Sequence, residues 1–281
     1  MKLRIAHTTR YEFSRAVFLE PHLVRLEPRS DPTQRVLHWN IHVHPTPMAR
    51  SSALDAEGNS VVYLWFTDLH DSLEIRAEGE VETFRDNPYD FLFLKPEYAR
   101  LPAAYGQPEA EWLGRFRQES GPADDAVGAW AQEALNASNG YAMDFLSALN
   151  LRMYEQIRFR ERLLGAARSA EETLMSCEGA CRDVAVAFVA CCRRVGLAAR
   201  FVSGYQNGDQ DTEERHLHAW AEVYLVGGGW RGYDPTHGLA VASGHVPLAA
   251  APTAAEAAPI AGTFRATGVE SRMTATLSID F

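Results

Sequence analysis

The sequence predicts an α+β fold in two parts. An N-terminal antiparallel β-sandwich-like domain precedes a core in which a cysteine-bearing helix packs on an antiparallel sheet. Three observations predict this arrangement. Short alternating apolar segments separated by Pro-rich and Gly-Asn turns fill the first third of the chain. Apolar residues at helical spacing follow in the next part of the chain. Further on, a helix that is apolar nearly all round precedes a strand–glycine–strand pattern.

The N-terminal third contains five segments with strand-like alternation, and the turns PRSDPT, HPTPM and DAEGNS separate several of them. The predicted strands cover residues 2–13, 23–26, 36–44, 60–67 and 73–83. We therefore place a β-rich domain at residues 1–85. Residues 86–110 are rich in proline and aromatic side chains, so we interpret them as a connector docked on the core. The core is then residues 111–281.

Helices and strands alternate in the core. Helical spacing of apolar residues predicts a helix over 124–137, and a spacing of four from Phe145 to Ile157 predicts another. Ser169 and Glu172 are placed to form a capping box that starts a brief helix. Among the remaining core segments we expect strands at 157–161, 199–205 and 271–280, the first of them short. We expect a polar loop at 207–216 and an Ala-rich loop from Leu239 to about Ala261.

The segment that organises the core is GACRDVAVAFVACCRRVGLAAR, residues 179–200. Cys181 lies where its apolar helix begins, so the thiol meets unpaired backbone N–H groups and the positive end of the helix dipole. Both stabilise a thiolate, which is the nucleophilic form of cysteine. Asp183 in the same turn is expected to interact with the helix N-terminus. Cys191 and Cys192 lie deeper in the helix, where they are expected to be buried packing residues.

A candidate base for this thiol occurs downstream in HLHAWAEVYLVGGGWRGYDPTHG, residues 216–238. The pattern predicts a hairpin that carries His218 on its first strand and Asp234 at the end of its second strand. A cysteine nucleophile needs an imidazole within hydrogen-bond reach, and the imidazole needs a carboxylate that orients it. Cys181, His218 and Asp234 are therefore the candidate catalytic residues.

At these motifs the chain resembles the transglutaminase-like superfamily of papain-type thiol enzymes, specifically its bacterial proteins. The core motifs GACRD, RRVGLAARFVSGY, HAWAEVYL and GWRGYDPTHG resemble that superfamily, and HTTRYEF, LVRLEPRSDPTQRV and LDAEGNSVVYLWF resemble its bacterial N-terminal region. The resemblance implies that Cys181 is the nucleophile, His218 the general base and acid, and Asp234 the orienting carboxylate. One departure is visible. Relatives tend to carry an Arg-Asp-Tyr segment after a histidine near the C-terminus, whereas VPLAAAPTAAEAAPIAG follows His245 here.

The resemblance implies acyl transfer from a peptide or isopeptide amide through a thioester on Cys181. Hydrolysis of the thioester by water would make the protein a cysteine peptidase or amidase, and this is the expected reaction. Attack by an amine would make it a transglutaminase. A third interpretation is a non-catalytic binding or scaffold module with a relic triad. The same three residues serve the first two reactions, so the motif leaves them open.

Composition excludes some partners and cofactors. A formal net charge of −10 disfavours nucleic acid and anionic membrane surfaces, so we expect a peptide or protein substrate instead. Four cysteines between residues 177 and 192, together with a first segment unlike a signal peptide, predict a reducing cytoplasmic location. His216 and His218 form an H-x-H pair, but no further ligand at metal-site spacing follows, so we expect neither metal nor cofactor. His237 and His245 could lie near the site, but we interpret them as loop histidines.

Overall fold

The structure is a computed structural model that describes residues 1–118, 126–207 and 216–280. The strands in these ranges are β1 (Lys2–Leu19), β2 (His22–Val24), β3 (Gln34–His44), β4 (Ala49–Leu54), β5 (Ser60–Trp65), β6 (His70–Thr83), β7 (Arg158–Phe159), β8 (Glu178–Gly179), β9 (Ala199–Gln206), β10 (His218–Leu225), β11 (Gly229–Asp234), β12 (Leu239–Ala240), β13 (His245–Ala251), β14 (Ile260–Ala261), β15 (Phe264–Arg265) and β16 (Ser271–Asp280). The α-helices are α1 (Glu109–Trp112), α2 (Ala126–Ala137), α3 (Ala142–Gln156), α4 (Ala170–Ser176) and α5 (Cys181–Arg194).

The N-terminal region is built from two antiparallel sheets that enclose one apolar core. The first sheet has the order β15-β1-β6-β3, with β16 also paired to β1, and the second has the order β14-β2-β5-β4. Alternation along β1 buries Leu3 and Ile5 while Arg4 points to solvent, as expected for a half-buried strand. The predicted β-rich region and the α+β fold class are confirmed.

The C-terminal half contains a five-stranded antiparallel sheet of order β12-β11-β10-β9-β13. Helix α5 packs on one face of this sheet, where the ring of Phe188 stacks on Tyr233 with centroids 5.8 Å apart. The same sheet also contributes Tyr205, Val246 and Leu248 to the core of the N-terminal region. The central sheet therefore packs against both α5 and the N-terminal region.

Most predicted helices occur where the sequence placed them. The start predicted for α2, at residues 124–125, lies outside the described residues. Helix α3 buries Phe145, Leu149 and Met153 on one face, and Ser169 caps α4 through the expected reciprocal bonds with Glu172. The connector docks on the core, where Phe91 and Phe93 pack against the cluster around α5. The boundaries at residues 85 and 110 stay predictions.

The Ala-rich segment after Leu239 was expected to be a loop, and this expectation is wrong. Residues His245–Ala251 form β13, which pairs with β9 and is buried along its whole length. A strand buried on both faces shows no polar–apolar alternation, and alanine is a weak strand former, so neither sequence signal was present. Strand β4 was missed for the opposite reason, since all six of its residues are exposed.

The N-terminal region covers the outer edge of β13. Asn59 is fully buried, its side-chain amide donates to the Ala250 carbonyl at 3.0 Å, and its Oδ1 accepts from the Ala250 N–H at 2.9 Å. Gln34 donates to the Pro247 carbonyl at 3.0 Å. These side chains satisfy backbone groups that an edge strand would otherwise leave unpaired. Strand β16 also returns to pair with β1, so the end of the chain completes the N-terminal sheet.

No helix among residues 1–118, 126–207 and 216–280 is both long enough and apolar enough to cross a bilayer.

Replacing Asn59 with Ala is expected to lower the free energy of unfolding by about 2 kcal/mol, because it leaves both backbone groups of Ala250 buried without partners. Urea unfolding measures this loss. Arg4→Ala, which removes an exposed ion pair with Glu80, is the control and should cost less than about 1 kcal/mol. Equal small losses in the two variants would contradict the edge-covering role of Asn59.

A buried histidine predicts how stability depends on pH. His7 is 1% exposed, hydrogen-bonds Tyr205 and Thr9, and burial lowers its pKa to about 4 from the ordinary value of 6.5. The unfolded chain therefore binds the proton first as the pH falls. The contribution of neutral His7 to the free energy of unfolding is complete above about pH 6.5. About 3 kcal/mol of it is lost as the pH falls towards 4.

His7→Gln is expected to flatten the pH dependence of unfolding between pH 6.5 and 4, as measured by urea unfolding at a series of pH values. His22 and His245 also have lowered pKa values owing to burial, so some slope should remain. His38→Gln, at an exposed position of β3, is the control. An unchanged slope in His7→Gln would show that His7 does not remain neutral in the folded state.

Candidate active site

Cys181 is the first residue of α5, as the sequence predicted. Ala180 before it is extended, with φ −78° and ψ 167°, so the helix begins at the cysteine. Asp183 fixes this start: its Oδ2 accepts from the Ala180 N–H at 2.9 Å. Cys181 is half-buried, so the thiol is in the first turn without being sealed in the core.

The Asp183 carboxylate is fully buried and ties the helix start to the preceding segment. Its Oδ1 accepts from Arg162 at 2.6 Å and from the Arg168 N–H at 2.8 Å. Burial alone would raise the pKa of Asp183, but the bonds from the Arg168 and Ala180 N–H groups and from Arg162 outweigh it and lower the pKa. The expected interaction of Asp183 with the helix N-terminus is confirmed, and its charge is directed towards Ala180 and Arg162.

His218 and Asp234 come from adjacent strands. His218 opens β10 and Asp234 ends β11, and the pairing of these strands brings the two side chains together. His218 Nε2 lies 2.7 Å from Asp234 Oδ2. This contact occupies one ring nitrogen and leaves Nδ1 as the nitrogen that can exchange a proton with a thiol.

The Asp234 carboxylate is fully buried and is surrounded by donors. Its Oδ2 is also contacted by His237 Nδ1 at 2.9 Å and by His245 Nε2 at 3.1 Å. Its Oδ1 accepts from the Thr236 N–H at 3.1 Å and from the His237 N–H at 3.3 Å. Burial opposes ionisation, but the His218 charge and the hydrogen bonds from the three histidines hold the pKa of Asp234 well below its usual range.

Opposing effects act on His218. Burial lowers its pKa, whereas the Asp234 charge, the Asp234 hydrogen bond and then a hydrogen bond and charge interaction with Cys181 raise it, and together they bring the pKa to about 10. At neutral pH the ring is therefore an imidazolium between a carboxylate and a sulfur. His245, by contrast, has a lowered pKa because its burial outweighs the Asp234 contact. The site combines one protonated ring with one neutral ring.

Of the three residues singled out from the sequence, His218 and Asp234 are in direct contact, and Cys181 raises the pKa of His218. Their catalytic roles stay predictions. His216 is the other member of the H-x-H pair, and its Nε2 lies 3.1 Å from Glu161 Oε1. The polar loop expected ahead of His218 falls mainly on residues 208–215, which lie outside the described residues.

His237 and His245 were interpreted as loop histidines rather than as part of the site. His237 does lie in the turn after β11, but His245 begins β13, and both rings contact Asp234 Oδ2. His237 follows Asp234 by three residues, a spacing that lets its ring turn back to the carboxylate. His245 could not be recognised because β13 was not recognised, and no local pattern connects it to Asp234.

One group of side chains has the spacing of a metal site. One potential ligand atom from each of His218, Asp234 and His245 lies within 4.8 Å of the others. Both histidines, however, already direct Nε2 at the same carboxylate oxygen. A metal ion would have to replace these hydrogen bonds, so the observed geometry fits a hydrogen-bonded cluster better than a metal centre.

Two family models match parts of this chain. Residues 3–82 match the family model of the bacterial transglutaminase-like N-terminal region, and residues 128–235 match that of the transglutaminase-like superfamily. An uncharacterized protein of Mycobacterium tuberculosis is 28% identical over 276 residues, covering 93% of this chain and 87% of the relative. One from Mycobacterium leprae is 24% identical over 289 residues, covering 95% and 94%.

A solved structure has the same fold. A candidate cysteine protease from Cytophaga hutchinsonii superimposes with a TM-score of 0.76 at 20% identity, over 100% of this chain and 92% of that one. At this identity the likeness shows the fold alone.

We predict that Cys181 is the thiol that reacts with iodoacetamide near neutral pH, because the protonated His218 ring stabilises a sulfur anion beside it. Mass spectrometry after brief labelling should find the label on Cys181, and Cys181→Ala should lose it. His218→Gln should slow labelling at pH 6 by at least about tenfold.

Cys177→Ala is the matched control, since Cys177 is also half-buried but its thiol contacts the Leu174 carbonyl. Its labelling pattern should equal that of the wild type. Cys191 and Cys192 are fully buried and should label only after unfolding. Undiminished labelling of Cys181→Ala would place the reactive thiol elsewhere.

Proposed function

We propose that this chain, whose residues 128–235 match the transglutaminase-like superfamily, is a thiol-dependent amidase or peptidase that acts through a thioester on Cys181. The observation that carries the proposal is the contact line from the half-buried Cys181 through His218 to the buried Asp234 carboxylate. A scaffold with a relic triad would not need to keep an ionised carboxylate and an imidazolium buried, since both are costly to desolvate.

In the first step the Cys181 sulfur anion attacks the carbonyl carbon of a peptide or isopeptide amide. The carbonyl oxygen becomes an oxyanion beside the first turn of α5, where the Cys181 N–H has no intrahelical acceptor. His218 then gives its proton to the leaving nitrogen. The C–N bond breaks, the amine departs, and the acyl group remains on sulfur as a thioester.

In the second step water attacks the thioester while His218, now neutral, takes a proton from it. The C–S bond breaks, and the products are the carboxylic acid and the Cys181 sulfur anion beside the reprotonated ring. Asp234 remains ionised throughout and keeps the ring oriented, because its Oδ2 contacts Nε2 while its Oδ1 is held by two backbone N–H groups.

Hydrolysis is our choice over transfer to an amine because the N-terminal region matches that of the bacterial branch and the overall fold resembles that of a candidate cysteine protease. Both arguments are analogies of family and fold. The substrate is proposed to be a peptide or protein. The cytoplasmic location inferred from the cysteines stays a prediction.

We expect the wild-type protein, incubated with glutamine-containing peptides and a labelled primary amine, to release free acid without incorporating the amine. Cys181→Ala should reduce acid release by at least about a thousandfold, whereas Cys177→Ala should leave it unchanged. Mass spectrometry of the peptides distinguishes the two products. Amine incorporation as the main product would replace the hydrolase with a transglutaminase, and an inactive wild type across amide and ester libraries would argue against an enzyme.

A further inference from the structure

We propose that His245 is a positioning residue of this active site, which fixes the Asp234 carboxylate and through it the orientation of His218. The proposal rests on the function proposed above, and it assigns a role to a side chain that the two-step reaction does not use. His245 contacts neither Cys181 nor any atom that would react, so its effect must pass through Asp234.

The geometry supports a donor role. His245 Nε2 lies 3.1 Å from Asp234 Oδ2, the same oxygen that orients His218 at 2.7 Å. His245 is 7% exposed, and burial keeps its ring neutral, so the ring carries a single N–H. A carboxylate oxygen can only accept, so the tautomer that fits has the proton on Nε2 and donates it to Asp234.

The ring of His245 is itself held in place. Trp220 packs edge-on against it, with centroids 5.2 Å apart and planes at 78°. The wide indole of Trp220 fits because residue 204 is glycine: a Cβ there would lie 2.5 Å from the Trp220 ring. The His245 backbone is fixed by pairing with Gln206 of β9. A neutral donor that cannot rotate away is suited to setting the position of a carboxylate.

His245 differs in this respect from His237, the third histidine on Oδ2. The side chain of His237 is 39% exposed, whereas that of His245 is 5% exposed. Water can replace the His237 contact, but it has little access to the place of His245. The charged or titratable groups that act on His245 are Asp234, His218 and His237, all within the cluster. Loss of the His245 N–H would therefore leave Asp234 Oδ2 without one of its hydrogen-bond donors, and water could not replace that donor.

Two substitutions separate the donor from the packing. His245→Phe keeps a ring against Trp220 but removes the N–H, whereas His245→Gln removes the ring but can place an amide N–H near the former Nε2. We expect His245→Phe to lower kcat for the amide substrate by about tenfold or more with KM changed less than about twofold. His245→Gln should retain at least half of the wild-type kcat.

The second readout is the pH dependence of Cys181 alkylation by iodoacetamide, measured with EDTA present so that trace metal has no influence. If His245 positions the Asp234–His218 pair, His245→Phe should move the midpoint of the acidic limb upward by about one pH unit, which is about a tenfold slower reaction at pH values below both midpoints. The alkaline limiting rate should not change. His245→Gln should keep the wild-type midpoint, and His38→Gln is the surface control.

Equal losses in His245→Phe and His245→Gln, or none in either, would overturn the proposal, since the first result indicates packing alone and the second no role. If circular dichroism shows that His245→Phe does not fold, His245→Asn takes its place, because its shorter amide does not reach Asp234. Failure of the proposed function itself looks different: the wild type would then lack rapid labelling of Cys181 at pH 6, whatever the His245 variants do.

Discussion

The buried carboxylate of Asp234 is the constraint on which the rest of the site depends. An ionised group with no solvent contact is tolerated only where hydrogen bonds and opposite charge replace its hydration. Here β10 supplies His218, β13 supplies His245, and the turn after β11 supplies His237 and two backbone N–H groups. The positions of three strands are thereby linked to the ionisation of one side chain. A protonated Asp234 would release His218 as well as lose its own partners.

The N-terminal region is part of this arrangement, because it covers the strand that carries His245. Asn59 and Gln34 bond to the backbone of β13, and Val246 and Leu248 of the same strand belong to the core of the N-terminal sheets. Strand β16 makes a second connection between the two regions, because it follows the core in sequence and pairs with β1 of the N-terminal region. A core isolated from the N-terminal region would expose apolar side chains of its own sheet and leave the edge of β13 open to other chains.

The sequence was sufficient for features that have a local signal. The start of α5 at Cys181, the capping box at Ser169 and the hairpin carrying His218 and Asp234 each depend on residues within a few positions of one another. Features that depend on long-range pairing had no such signal. Strand β13 is buried on both faces and rich in alanine, and its histidine reaches a carboxylate that is eleven residues away in sequence but on the opposite side of two other strands. Without the sheet order, His245 could not be distinguished from a loop residue.

The segment that follows His245 is rich in alanine and packs beside the candidate nucleophile. Ala251, Ala254 and Ala257 belong to the same apolar cluster as Cys181. The Pro252 carbonyl accepts from the buried Arg193 at 2.6 Å, and Thr253 hydrogen-bonds Glu256, so backbone and local contacts hold the segment. The neighbourhood of the Cys181 sulfur is therefore apolar on this side and charged on the other. The charges of His218 and Arg182 both act on the sulfur, and the position of His218 is set by the group of donors around Asp234.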